Sequence, residues 1–348
     1  MPIIEYMPQH FEDLRKFVGR VGMMLSLTHR PFVDHYYASS RYCQLYLLLA
    51  DDGSIRATLG FERMRFESKG QELIIGAGSN FYSLSPGVGG ILFVQWLKAC
   101  PVGLVYGGSP DTHRMIRGRR WTFYEGVRQF ILGNPYEPYP GESRWRLGVK
   151  SVLRRTSRVR LSRYASRIPG EIRKKISVRE EQGYTTDLLP REAPFEFRFA
   201  PGVDYLNWRY NPTLSFVKYR IFRILDGRDT VGYAVINDSP DGLTVAHCDG
   251  TDARIIAYGV LLSLLHVGRE DSSPRSVWLS SSHPAMQEIY RRFGFRPMRS
   301  ERVFAMGNLF GPADIEPDTS NWLVNLDWGD NRLRPPFLDQ GPTPTRSA

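Results

Sequence analysis

One arrangement occurs twice in this chain and constrains its fold more than any other feature. Over residues 277–295, the apolar run Val277, Trp278 and Leu279 leads to Ser281 and Ser282, then Pro284. Met286, Ile289 and Phe293 follow at helical spacing, and Gly294 and Phe295 close the stretch. A serine hydroxyl can cap a helix, proline suits its first turn, and glycine suits the left-handed residue past its end. Over residues 104–121 the same order returns as Leu104, Val105 and Tyr106, Ser109 and Pro110, a short helical stretch and Trp121. The aromatic stands 12 residues after Ser109 in one copy and 13 after Ser282 in the other. A repeated strand, capped helix and aromatic implies a duplicated α/β domain. Tyr290 of the second copy corresponds to Ile116 of the first, so the first lacks that phenol.

Length agrees with duplication: 348 residues suit two domains of roughly 150 each, and 42% hydrophobic residues suffice to build a core in both. No apolar run approaches the roughly 20 residues of a membrane span, and the first residues lack the order of a signal peptide. Cys43, Cys100 and Cys248 are too few and too far apart for a disulfide framework or a zinc cluster, and a cytoplasmic location is expected. His-Glu-x-x-His, Cys-x-x-Cys, the Walker loop and Gly-x-Ser-x-Gly are all missing, which argues against metal hydrolysis, P-loop phosphoryl transfer and α/β-hydrolase chemistry.

In the first half, residues 2–7 read as a strand, 9–21 and 31–40 as helices, and 44–50 with 55–66 as a hairpin turning at Asp51, Asp52 and Gly53. A strand rich in small residues follows over 72–84. Ser85-Pro86-Gly87-Val88-Gly89-Gly90 then separates it from a helix over 91–100. Glycines there let backbone N–H groups approach phosphates, and a helix N-terminus adds partial positive charge. The Pro-rich residues 135–141 mark a boundary. The second half opens at 195–199; 219–225 and 230–237 read as a hairpin, 243–249 as a strand and 255–267 as a helix. Simple alternation predicts Val245, His247 and Asp249 on one face.

The run Ile289-Tyr290-Arg291-Arg292-Phe293-Gly294-Phe295 resembles the helix-to-strand signature of GNAT (Gcn5-related N-acetyltransferase) domains. Tyr205-Leu206-Asn207-Trp208-Arg209-Tyr210, followed by Pro212 and Tyr219-Arg220, resembles a recurrent segment of bacterial tandem GNAT proteins of about this length, as does the tail around Trp322 and Trp328. The resemblance implies an α/β (α+β) chain of two tandem GNAT domains, each a mixed, splayed β-sheet flanked by helices. They are expected over 1–140 and 191–330, with a basic connector over 141–190 and a disordered tail over 331–348. The splayed strands are expected at 76–84 with 102–106 and at 243–249 with 277–279.

The same resemblance implies an N-acyltransferase that moves an acyl group from acetyl-CoA or another acyl-CoA to the amine of a small molecule or biosynthetic intermediate, without a metal. Ser85, Gly87, Val88, Gly89 and Gly90 would hold the coenzyme, although Leu84 stands where the family carries Arg or Gln. Tyr290 would be the acid, since a phenol with a pKa of about 10 can reprotonate a thiolate whose conjugate acid lies near 8.5 or above. Asp249 or His247 would be the base, directly or through water. Those chemical roles fall in different halves, so either copy is eligible as the active one.

Two further readings stand beside this one. Between residues 144 and 179 there are thirteen Lys or Arg against Glu171 alone, so this segment carries more charge than the whole chain's net +10. Arg154, Arg155, Arg158, Arg163 and Arg167 recur there at near-helical spacing, which reads as a basic helical connector or a phosphate-facing surface. Tandem GNAT domains also occur in transferases resembling the Fem family, which take the acyl group from aminoacyl-tRNA, and such a donor gives these arginines a purpose. The missing basic residue at Leu84 and the single glycine after Asp249 fit a degenerate, non-catalytic binding module instead.

Overall fold

The computed structural model describes residues 2–22, 26–133, 149, 158–190, 192–239, 242–271, 273–298, 303–325 and 337–340. The chain opens with β1 (Ile3–Glu5), α1 (Phe11–Val21) and α2 (Arg30–Val33), which runs on into a π-helical turn, Asp34–Ala38. β2 (Cys43–Leu49), β3 (Ile55–Ser68), β4 (Gln71–Ser83), α3 (Gly89–Ala99), β5 (Val102–Tyr106), α4 (Pro110–Gly118), β6 (Thr122–Phe123) and β7 (Arg128–Leu132) complete the first half. Then come α5 (Gly170–Lys175), β8 (Ile176–Glu181), β9 (Phe197–Phe199), α6 (Val203–Arg209), β10 (Tyr219–Asp226), β11 (Asp229–Ser239) and β12 (Gly242–Gly250). α7 (Ala253–Glu270), β13 (Val277–Ser281), α8 (Pro284–Phe293), β14 (Arg296–Pro297), β15 (Phe304–Gly307) and β16 (Trp322–Leu323) follow.

These strands form two mixed sheets. The first runs β1-β2-β3-β4-β5-β15-β6, with β9 added to β3 and β16 to β9; the second runs β14-β7-β13-β12-β11-β10-β8. The expected boundaries follow the chain, but the sheets do not. β7, from the first half, lies between β13 and β14, while β15, from the second, lies between β5 and β6. β8, inside the stretch expected as a connector, is the edge strand against β10. Each sheet is thus completed by a strand from the other half, which makes the two halves one interlocked body.

Apolar alternation explains the layering. On β3, Ala57, Leu59 and Phe61 face α3, while Met64 and Phe66 join a second core with Phe197, Phe199 and Trp322. In the second sheet Phe222, Ile224, Ala234 and Ile236 face α7 and α8, and Tyr219, Ile221, Tyr233 and Val235 pack toward α1 and α2. No helix among the described residues is long and apolar enough to cross a membrane.

Two local expectations need correction. α8 is capped by His283, whose Nδ1 accepts from Ala285 N at 3.2 Å, and the serines before it do other work. The basic stretch is not one helix among the described residues: a short 3-10 segment, Leu161–Arg167, is broken from α5 by Pro169, which lacks the N–H a continuing helix needs. The expected tail over 331–348 lies largely outside the described residues.

Candidate active site

Both sheets contain a fork. β4 and β5 run parallel and pair only at Ile75–Val102, Gly76–Gly103 and Ala77–Leu104; β12 and β13 pair only at Leu243–Val277 and Thr244–Trp278. Beyond those residues the strands diverge. A bulge on the upstream arm marks each divergence: Asn80 and Phe81 stand opposite Leu59 in the first, and Ala246 is the extra residue opposite the Val235–Ile236 step in the second. A bulge turns the strand and frees backbone groups at one spot, which is how it aims a strand away from its neighbour.

The second bulge corrects the expected alternation. Val245 packs with the core under α7 and α8, whereas His247 and Asp249 lie on the opposite face. There His247 Nε2 lies 3.0 Å from the Tyr233 hydroxyl, and Asp249 Oδ2 accepts from Arg198 Nη1 at 2.9 Å. Arg198 in turn pairs with Glu67, 2.7 Å away. Burial lowers His247 to about 4, so its imidazole is neutral near neutral pH. Burial also raises Asp249 to about 7, against the pull of Arg198 and of the Gly250 N–H.

The two forks differ in access. Every residue of β12 is buried, and the chain itself spans the gap: Val324 O accepts from Ser282 N at 3.1 Å, Val324 N donates to Ser282 Oγ at 2.8 Å, and the Asn325 carbonyl lies 3.3 Å from His247 Nδ1. Leu323 enters the core that contains Tyr290. Tyr290 is 1% exposed and packs against Phe295 and Phe130, and burial beside Cys248 holds its phenol well above the ordinary value. In the first fork, by contrast, Gly78, Ser79, Phe81 and Tyr82 are half-buried and Ser83 is exposed.

The helix that leaves each fork repeats the contrast. The Asp252 carboxylate caps α7, accepting from Arg254 N and Ile255 N at 2.9 Å each, so the N–H groups that would meet an anion are already engaged by one. α3 is preceded by Val88, which gives it no side-chain cap, after Gly87 in the left-handed region at φ 81. Ser85, Gly87, Val88, Gly89 and Gly90 thus lie together at an open helix start, on the accessible fork. The structure does not bring them to Tyr290, His247 and Asp249, which belong to the other fork.

Of the five connector arginines, Arg154 and Arg155 lie outside the described residues. Arg158 is half-buried, Arg163 is exposed, and Arg167 donates to the Phe293 carbonyl at 3.0 Å while stacking on Tyr164. Its role there is to close α8. Among the described residues one trio, Glu180, His266 and Glu270, brings ligand atoms within 4.8 Å, but Arg220 bonds both carboxylates and meets their charge.

Several residues of the open fork escaped sequence reasoning. Tyr37, on the π turn, lies beside Ser79 and Asn80 at the first bulge. Asn80 carried the one readable signal, since asparagine inside an otherwise apolar strand favours a left-handed bulge, and its φ is 47.

Forked parallel strands, a bulge on the upstream arm and a glycine loop opening a helix occur together in a known architecture. The fold is that of the GCN5-related N-acetyltransferases. It is present twice, as in a tandem GNAT protein from the clavulanic acid biosynthesis pathway, which matches with a TM-score of 0.53 and 12% identity over 90% of this chain and 99% of that one. A GCN5-related N-acetyltransferase from Kribbella flavida matches with a TM-score of 0.51 and 13% identity, covering 89% of this chain and 71% of the other. A probable N-acyltransferase from Enterococcus faecalis V583 gives 0.50 and 9%, covering 87% and 71%. No family model matches the sequence, and no curated relative does. At these identities the GNAT likeness is one of fold.

Proposed function

We propose that the protein is an N-acyltransferase whose first GNAT domain takes an acyl-coenzyme A donor and passes the acyl group to an amine. One observation carries the reading: the fork that is open to solvent is also the one whose outgoing helix has an uncapped N-terminus behind a glycine turn. A pyrophosphate needs backbone N–H groups and a favourable dipole, and an acyl-pantetheine arm needs a gap between strands. Both requirements meet at the start of α3, where the Gly90 N–H already bonds the Gly87 carbonyl at 3.2 Å and the neighbouring N–H groups would receive the phosphates, and at residues 78–83. The second domain serves as a scaffold, with its fork closed and its helix start taken by Asp252. Tyr290, at the position the family uses for its acid, stands by that closed fork and is not required.

Gly90 offers a clean test, because nothing lies within 4 Å of where its Cβ would be. Gly90→Asp puts a carboxylate at the start of α3, where it suits the helix but repels phosphate. Wild type should bind acetyl-coenzyme A with micromolar affinity by calorimetry, and the variant should bind it at least about tenfold more weakly while melting normally. A wild type that ignores the coenzyme, or a variant that binds it equally well, would defeat the proposal. Salt-sensitive binding of aminoacylated tRNA in its place would move the donor to that class.

A further inference from the structure

Residues 158–175 form an ordered basic face on the second domain that the proposed function leaves unused. Backbone hydrogen bonds in both directions join Val159 to Arg275, at 3.0 and 2.9 Å. Leu161 and Ile168 are buried, and Leu161 lies so close to Gly268 of α7 that a Cβ there would be 2.7 Å from the leucine Cβ. The Tyr164 ring stands 5.5 Å from that of Phe293, and Arg167 Nη1 donates to the Phe293 carbonyl at 3.0 Å, which ties the 3-10 segment to the end of α8. With its apolar side anchored, the segment turns its cations outward. Arg160, Arg163, Arg173, Lys174 and Lys175 are exposed, against the single acid Glu171. Of these five cations only Lys175 meets a carboxylate among the described residues, that of Asp226 at 3.0 Å. The end of α8 and β14 add exposed Arg291, Arg292 and Arg296, and Glu288 is the one carboxylate paired with them among the described residues.

We propose that this face binds the phosphate backbone of single-stranded RNA, independently of the acyl donor. Outward cations without carboxylate partners repel one another, and a polyanion laid across them relieves that repulsion. Arginine predominates, and its planar fork meets phosphate oxygens two at a time. A groove reader for duplexes needs a continuous helix or a strand pair, whereas Pro169 divides this face into a 3-10 stretch and the six residues of α5. A flexible single strand can follow such a bend. The exposed Arg167 guanidinium, 4.6 Å from the centre of the Tyr164 ring, offers an unpaired base a flat surface. Ser162 and Ser166, exposed on the same stretch, supply hydroxyls that can bond a ribose 2′-OH, which DNA lacks. A bilayer fits less well, because no large apolar side chain is exposed on residues 158–175, α8 or β14.

Fluorescence anisotropy of the full chain with a labelled single-stranded RNA of about 12 nucleotides tests the assignment. With about four phosphates neutralised, affinity should fall roughly fiftyfold between about 50 and about 200 mM salt. Arg163→Ala, Arg173→Ala and Lys174→Ala combined remove three exposed cations without a carboxylate partner among the described residues, so the variant should melt like wild type. It should bind RNA at least about tenfold more weakly at the lower salt, with a log-log salt slope flatter by about 2. Arg20→Ala, Arg117→Ala and Arg254→Ala combined remove as many exposed cations from α1, α4 and α7 and should leave RNA binding unchanged. No RNA binding at the lower salt, equal losses in the two variants, or tighter binding of the matching DNA strand would overturn the proposal. So would binding to phosphatidylglycerol vesicles with none to RNA. The donor reading is separate, since it stands or falls on acetyl-coenzyme A, which both variants should bind as wild type does.

Discussion

His247 Nδ1 lies 3.3 Å from the carbonyl oxygen of Asn325, 78 residues further along the chain. That contact and the pair of hydrogen bonds between Ser282 and Val324 tie residues 322–325 to both arms of the second fork. The same exchange occurs within the sheets, where β7 and β15 cross between halves. The second fork is thus spanned by the chain itself, and under the proposed function the first is the one left for the donor.

Stoichiometry follows directly. The protein should bind one equivalent of acetyl-coenzyme A per chain, because the closed fork lacks both a gap and a free helix start. Calorimetric titration at saturating protein gives the count. Two equivalents of similar affinity would mean that residues 322–325 leave the second fork readily.

Closure should also be visible as stability. Ser282 Oγ donates to Trp322 O at 2.7 Å and accepts from Val324 N, so Ser282→Ala strands a buried N–H and a buried carbonyl. The expected loss is roughly 1–3 kcal/mol in urea unfolding, with donor affinity unchanged. Weakened donor binding in a variant that melts like wild type would show that the two forks are coupled.

Much of this architecture was legible in the sequence because it depends on local patterns. The repeat around Ser109 and Ser282 and the Gly294 helix end at φ 116 appear where spacing predicted them, although His283 and not a serine caps the second helix, and the pairs of diverging strands appear where the resemblance implied them. Long-range exchange was not legible: nothing local in Arg128–Leu132 says that it pairs with β13 rather than β5. His247 and Asp249 were identified as a polar pair, but a single bulge residue, Ala246, separated them from Val245 and turned them toward Arg198. Openness was the hardest property to read, since it depends on residues 322–325 returning from far along the chain. Glycine content alone favoured the first loop, and an aromatic match alone favoured Tyr290.

Arg209 illustrates a motif residue that holds the halves together. It is 2% exposed, its Nη1 donates to the Tyr36 hydroxyl at 2.8 Å, and its Nε lies 3.3 Å from Glu62 Oε1. Arg209→Leu leaves the Glu62 carboxylate without its buried partner and should cost about 3–5 kcal/mol. Adding Glu62→Gln should restore a large part of that loss, because the uncompensated charge is removed. Strictly additive losses in the double variant would show that the pair does not interact energetically.

The pH dependence of stability tests the polar face of the second fork. His247 falls from 6.5 to about 4 on folding, so its contribution is complete above 6.5 and is lost as pH falls through 4. Asp249 rises from 3.8 to about 7, so its contribution is complete below 3.8 and is lost as pH rises through 7. Between about pH 4 and about pH 6.5 the two slopes oppose each other, each reaching roughly 1 kcal/mol per pH unit, and they nearly cancel. Removing either group should therefore expose the other. Relative to wild type, Asp249→Asn should gain stability as pH rises across that window, and His247→Gln should lose it, measured as urea midpoints at several pH values. Three parallel profiles would mean that neither group titrates away from its ordinary value, and the buried setting described for them would be wrong.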